Sequence, residues 1–413
     1  MDKDLSKNLN FFKEKNNIDE VIKILLIEKN NNPKNLDILF QLAGAYRYIG
    51  NFDQALSIYD EILLYDETYT PAYRMIGTII NHNQNQKYLK KLDKLKDNNN
   101  LSSEQKIELY FALGKGYEDL KDKKKSANYY TFANKLKKKI TKYNFKIHKD
   151  HFDQIYETFK NINFNDKKLN IINNKKIIFI CGLPRTGSTL FENIIGSHRE
   201  VYSGGELPYL NKLVKKYFAS DNELNRDKIL NSLNNNNIDF VDEYFNNLST
   251  HNFSENIITD KQLNNFRWIG LIKLFFPNSK IIICKRNHKA NALSIYKNNI
   301  SSRYYNWTND PEDILNYIKY YDKFINLWKK NFPNELFEVG YEDLVNQKDI
   351  LIKKMINFCE LDWDDNCLLF YKNKSPIKTA SAFQARQPIY ESSVELDTDL
   401  FKNIFFNQNF NDI

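Results

Sequence analysis

The chain has 413 residues, 42% of them hydrophobic and 14% aromatic, which is enough apolar mass for two or three domains with separate cores. Lys and Arg number 60 against 52 Asp and Glu, giving +8; the lysines are spread along the chain, so the excess suits an anionic small ligand or an acidic acceptor better than nucleic acid. Cys181, Cys284, Cys359 and Cys367 show no CxxC spacing, which argues against zinc and a disulfide framework and for a reducing compartment.

The start MDKDLSKNLNFFKEK is charged and no apolar run reaches the length of a membrane span, so a soluble, cytoplasmic protein is expected. Residues 1–140 read as helical and repetitive. Leu39, Leu42, Ala43, Tyr46, Ala55, Tyr59 and Ile62 recur in spacing as Tyr110, Leu113, Gly114, Tyr117, Ser126, Tyr130 and Ala133. Between them Tyr73, Ile76 and Gly77 stand 34 residues after Leu39, Leu42 and Ala43, the tetratricopeptide period. Small residues at 43, 77 and 114 let paired helices approach closely. The stretch therefore resembles a tetratricopeptide array of about three repeats, its middle one degenerate across NHNQNQKYLKKLDKLKDNNN. Such an array is a peptide- or subunit-binding face, a structural cap or a homodimerisation arm.

An Asn- and Lys-rich connector over 141–174 follows, with a helix predicted at 151–160. The next stretch, KKIIFICGLPRTGSTL at 175–190, organises the remainder. Ile177 to Cys181 form an uninterrupted apolar run, β-branched-rich and too short for a helix, as in a parallel strand buried on both faces. Gly182, Pro184 and Gly187 turn the chain, and Ser188, Thr189 and Leu190 open an amphipathic helix. A helix start over such a turn favours phosphate. The spacing is that of a Walker A loop, but Ser188 stands where the lysine belongs and Arg185 carries the charge inside the loop. A triphosphate with magnesium needs that lysine and a carboxylate for the metal.

Further strands are predicted at 281–284 and 335–339, with amphipathic helices at 268–275, 290–297, 311–329 and 349–359. This βα succession predicts a P-loop-like α/β domain over 175–413, a parallel sheet flanked by helices with ligands at the carboxyl ends of the strands.

At those strand ends ICGLPRTGSTLFENIIGSHREVYSGGEL is similar to the 5′-phosphosulfate-binding segment of the sulfotransferase family. TDKQLNNFRWIGLIKLFFPNSKIIICKRN, VGYEDLV and TASAFQARQPIYESS follow in that family's order, so the resemblance covers most of 175–393. With the repeats in front, it is closest to the branch holding tyrosylprotein sulfotransferases and bacterial tetratricopeptide-repeat sulfotransferases. The resemblance implies 3′-phosphoadenosine 5′-phosphosulfate (PAPS) as co-substrate, with no metal, and a hydroxyl-bearing acceptor: a protein side chain such as tyrosine, a glycan or a small metabolite. Arg185, Thr186, Gly187, Ser188 and Thr189 would then hold the 5′-phosphosulfate, and Arg286 with Ser294, eight residues on, the 3′-phosphate. Tyr341 would sit near the adenine or form the site wall. Glu206 matches the catalytic glutamate, Lys261 the lysine that stabilises the sulfuryl group, and Ser381 its helper. His198 and His288 have no partner carboxylate in view and read as structural.

The chain departs from the family at three places. Arg286-Asn287-His288 replaces Arg-Asp-Pro, and Asp260-Lys261-Gln262-Leu263 replaces DKxP. After Ser392-Ser393-Val394, where the family has a basic residue and a tryptophan, Glu395-Leu396-Asp397 follow, leaving Arg386 as a candidate substitute cation. Two other readings stand beside the transferase: a P-loop kinase or nucleotidase, opposed by the missing Walker lysine, and a non-catalytic repeat scaffold with a degenerate transferase domain.

Overall fold

The computed structural model describes residues 3–160, 162–164, 175–220, 223–251, 253–300, 303–389 and 394–410. Most of the connector's second half and Ser392 and Ser393 of the tail motif lie outside the described residues. The N-terminal region is all helix: α1 (Lys3–Glu14), α2 (Ile18–Asn31), α3 (Leu36–Tyr48), α4 (Phe52–Tyr65), α5 (Thr70–Gly77), α6 (Lys87–Leu95), α7 (Ser103–Asp119) and α8 (Lys123–Thr141). The asparagines between them are functional punctuation. Asn17, Asn35 and Asn51 each cap the following helix through the side-chain oxygen, and Ser102 with Gln105 forms a reciprocal capping box. The small residue expected at 114 is required: a Cβ on Gly114 would lie 2.7 Å from the Tyr130 ring of α8. The polar stretch after Gly77 shortens α5 to 8 residues and leaves α6 at 9.

The helix predicted at 151–160 begins earlier, as α9 (Phe145–Lys160). Its buried Phe152, Ile155 and Phe159 belong to the core of the α/β domain. That domain holds β1 (Lys176–Gly182), α10 (Ser188–Ile195), β2 (Val201–Ser203), α11 (Tyr209–Phe218), the two-residue strands β3 (Ala219–Ser220) and β4 (Glu223–Leu224), α12 (Arg226–Asn234) and α13 (Asp239–Ser249). It continues through β5 (Ile257–Asp260), α14 (Ile269–Phe275), β6 (Lys280–Lys285), α15 (His288–Tyr296), α16 (Pro311–Asn331), β7 (Leu336–Gly340), α17 (Tyr341–Asn346), α18 (Lys348–Phe358) and α19 (Thr398–Phe405).

Five of the strands make a wholly parallel sheet in the order β2-β5-β1-β6-β7, with β1 at its centre. The period of two along β1 divides the cores. Ile177, Phe179 and Cys181 face one layer of helices, whereas Ile178 and Ile180 face α10 and α18 on the other side. Cys181 and Cys284 are free and buried, and burial pushes both thiols up.

The helical region is fastened across the carboxyl ends of these strands. Asn16 donates to the carbonyls of Ser203 (3.1 Å) and Gly204 (3.3 Å), and Ile377 N–H donates to Tyr48 O at 2.8 Å. Arg386 reaches the carbonyls of Asn373 (2.6 Å), Ser375 and Tyr48 (both 2.8 Å). This corrects the expectation that Arg386 substitutes for the missing tail cation, because its guanidinium is spent on three backbone oxygens, of which Tyr48 O belongs to the helical region. The tail itself turns back on the helices, where Asp397 caps α19 and pairs with Lys123 of α8. No helix among the described residues is long and apolar enough to cross a membrane.

Candidate active site

Between the strand ends and the helical region lies a cavity of about 530 Å³. The β1–α10 turn forms its floor. A Cβ on Gly182 would lie 2.6 Å from Cys284 O, and Gly187 adopts φ 84° with the Tyr341 ring pressed against it, so neither position accepts a side chain without strain. Arg185 itself holds φ 67°, the left-handed region that side chains avoid. The turn is locked by Asn291, which donates to Pro184 O at 2.8 Å, and by Arg286, which donates to Arg185 O at 3.2 Å. Gly187, Ser188 and Thr189 present the start of α10 to the cavity, with the positive end of its dipole.

Arg185 brings three expected or adjacent groups together. Its Nε donates to Ser294 Oγ at 3.1 Å, one Nη donates to Ser381 Oγ, and the other donates to Gln384 Oε1 at 2.9 Å. Each serine thus accepts from the guanidinium and keeps its own O–H as a donor. Arg286 stacks its guanidinium 4.9 Å from the Tyr341 ring centre, and both line the cavity. Thr186 differs: its hydroxyl is committed to Leu183 O at 2.8 Å and it borders a separate cavity beside α16. Asn287, where the family has aspartate, caps α15 through its side-chain oxygen, so the exchange preserves the helix start.

Glu206 and Lys261 form the second half of the site. Lys261 Nζ donates to Glu206 Oε1 at 2.6 Å; the lysine is 1% exposed and the carboxylate 46%. Burial works against the Lys261 charge, but Glu206 and Glu192 outweigh it and hold the ammonium above its ordinary range. The loop carrying Glu206 is set by backbone contacts. Gly204 lies so close to β5 that a Cβ would meet Thr259 O at 2.2 Å. Glu192 of α10 accepts from Gly205 N and Thr259 Oγ1, both at 2.9 Å. Glu192 was invisible to the sequence reading, since a lone carboxylate on an amphipathic helix looks solvated. Lys378, Thr379 and Gln384 also went unmarked, although they flank Ser381.

The histidines divide. His198 is buried, with Nε2 2.8 Å from Asp362 O and Nδ1 accepting from Glu200 N–H, which is a structural role. His288, expected to lack a carboxylate, has one: Asp322 of α16 stands 3.1 Å from its Nε2. The pair borders the separate cavity and not the one holding Glu206.

Asp260, beside Lys261, is fully buried, and burial pushes its carboxyl up to about 7 against the pull of the Tyr244 hydroxyl, 2.8 Å away. In the unfolded chain the group titrates near ~3.9, so the folded state binds the proton more tightly and stability falls as pH rises between about 4 and 7. Asp260→Asn should remove this slope, gaining up to ~1.4 kcal/mol per pH unit on wild type across that window. Urea unfolding at pH 4.5, 5.5 and 6.5 measures it; parallel curves for the two proteins would contradict the assignment.

Residues 178–365 match the Sulfotransferase family. The chain is 29% identical over 390 residues to an uncharacterised protein of Aquifex aeolicus, covering 92% of this chain and 51% of that protein, so it spans about half that relative's length. It is 23% identical over 198 residues to protein-tyrosine sulfotransferase A of Caenorhabditis elegans, covering 46% of this chain and 51% of the relative. Among solved structures, the sulfotransferase domain of the Synechococcus PCC 7002 olefin synthase aligns over 59% of this chain and 98% of its own, with 16% identity and a TM-score of 0.40. Most of β1, the β1–α10 turn, the glutamate loop and the Lys285-Arg286 strand end all fall inside the segment that matches the Sulfotransferase family.

Proposed function

We propose that the protein moves a sulfuryl group from PAPS to a hydroxyl acceptor. The observation that supports this reading best is the convergence on one cavity of Arg185, Arg286 and the α10 start on one side and the Glu206–Lys261 pair on the other. PAPS, when bound, supplies the activated sulfuryl group. The chain's own residues do the remainder. Arg185 with the loop N–H groups takes the 5′ anion, and Arg286 with the Ser294 hydroxyl takes the 3′-phosphate. Glu206 removes the acceptor proton, and Lys261 offers its ammonium to charge developing on the transferred group and the leaving oxygen. The helical region, read as a tetratricopeptide-like array, supplies the cavity's opposite wall through Phe40, Gln41, Arg47, Tyr48 and Tyr59. That wall is the support for acceptor presentation over a remote cap or dimerisation arm.

Calorimetry with adenosine 3′,5′-bisphosphate tests the reading. Wild type should bind, and Arg286→Ala should weaken binding by about 10–150-fold, the loss of a charge-assisted contact worth ~1.5–3 kcal/mol. No binding by wild type would favour the scaffold, and tighter binding of ATP with magnesium would favour a kinase.

A further inference from the structure

The cavity lining is electrostatically lopsided. Lys13, Arg47, Arg74, Arg185, Arg286 and Lys378 face it, against the Glu206 carboxylate. Arg185 and Arg286 serve the nucleotide in the reading above, and Arg74 is paired with Glu108 of α7. Arg47 of α3 is different. It is 7% exposed, its Nη1 meets only the Met75 sulfur at 3.4 Å, its Nε is buried without a partner, and no carboxylate pairs with it among the described residues. The Tyr59 hydroxyl, on the same wall, is buried without a partner at hydrogen-bond distance, and the Arg47 guanidinium acts on it electrostatically.

An uncompensated buried guanidinium is costly, and it persists where a ligand supplies the opposite charge. Its position identifies which ligand. Arg47, its neighbour Tyr48 and Glu206 all line this one cavity. Lys378 donates to Lys13 O at 2.7 Å on the same side, and Lys13 donates to Gln41 at 2.9 Å. The unpaired cation therefore shares one cavity with the base.

Resting on the sulfuryl-transfer reading, we infer that Arg47 is a specificity-determining residue: with the Tyr59 hydroxyl it seats an oxyanion carried by the acceptor, while the acceptor's hydroxyl faces Glu206. The acceptor class is a hydroxyl compound bearing a carboxylate or a sulfate or phosphate ester, and the helical region selects it.

Thermal unfolding of bisphosphate-saturated protein, titrated at constant ionic strength with sodium acetate or sodium sulfate, reads the oxyanion seat directly. A rise of about 1.5–2 °C is expected at a tenfold excess over Kd, absent in Arg47→Gln. Without added anion, Arg47→Gln should melt no lower than wild type, because it removes a buried unpaired charge. Equal anion shifts in the two proteins, or a variant that melts lower without anion, would overturn the inference. A response to acetate alone identifies a carboxylate, and one to sulfate alone an ester. The bisphosphate addition is read first and separately, so failure at that step counts against sulfuryl transfer and not against the oxyanion seat. With labelled PAPS and lysate fractionated on an anion exchanger beforehand, label should enter the retained fractions, and Arg47→Gln should raise the acceptor KM at least about tenfold with the PAPS KM unchanged. Equal labelling of the unretained fraction would refute it.

Discussion

Glu206→Gln is expected to lower turnover by about 10²–10⁴-fold while leaving bisphosphate affinity unchanged. The substitution keeps the Oε1 that accepts from Lys261 Nζ at 2.6 Å, so the loop should hold its place while the carboxylate charge is lost. The loop has other anchors as well: Gly205 N–H on Glu192 at 2.9 Å and Lys261 N–H on Gly205 O at 2.9 Å. Some stability should be lost, because the buried Lys261 ammonium gives up one of its two counter-charges. With Glu206 half in solvent, that loss should stay well below the ~3–5 kcal/mol seen when a fully buried pair is broken. The separation between kcat and affinity is the informative part. In the proposed mechanism Glu206 faces the acceptor, so its charge matters when the hydroxyl proton leaves and little when the nucleotide binds. Single-turnover rates with excess enzyme measure the chemical step, and calorimetry the affinity. Turnover within a factor of a few of wild type would remove Glu206 as the base.

What the sequence revealed and what it hid follow from the range of the interactions. The β1 strand and its turn were legible because each signal is local: five apolar residues in a row, glycines at the turn and hydroxyls at the helix start. β6 and β7 were legible for the same reason. β2 and β5, with 3 and 4 residues, are too short for any period to register, yet β5 carries Asp260 to the edge of Lys261. The residues whose meaning depends on distant chain were misread or missed. Arg386 sits 338 residues from the Tyr48 carbonyl it holds, and its role as a clamp has no local mark. His288 finds Asp322 only because α15 and α16 pack together. Arg47 falls in the repeat pattern LAGAYRY, where an arginine at the end of an apolar face looks like a solvated helix terminus. Only the placement of α3 over the strand ends makes it a cavity residue.

Arg185→Lys is expected to reduce kcat/KM for PAPS by about 10²–10⁴-fold, although the charge is conserved. The guanidinium reaches Ser294, Ser381 and Gln384 at once from a backbone held in the left-handed region, and a lysine ammonium cannot span three such partners in a fork. Losing two charge-assisted contacts at ~1.5–3 kcal/mol each gives that range. The same geometry predicts a coupling that charge alone does not. Ser294 serves the 3′-phosphate in the proposed mechanism, yet its oxygen accepts from Arg185 Nε at 3.1 Å, so the arginine sets the direction of the serine's O–H. Ser294→Ala should therefore weaken bisphosphate binding in the wild-type background and have much less effect once Arg185 is lysine, a non-additivity of about 1 kcal/mol or more. Calorimetric titration of the two single variants and the double variant closes the cycle. Strict additivity would mean that the 5′ and 3′ anion sites act independently and that the Arg185–Ser294 contact carries nothing between them.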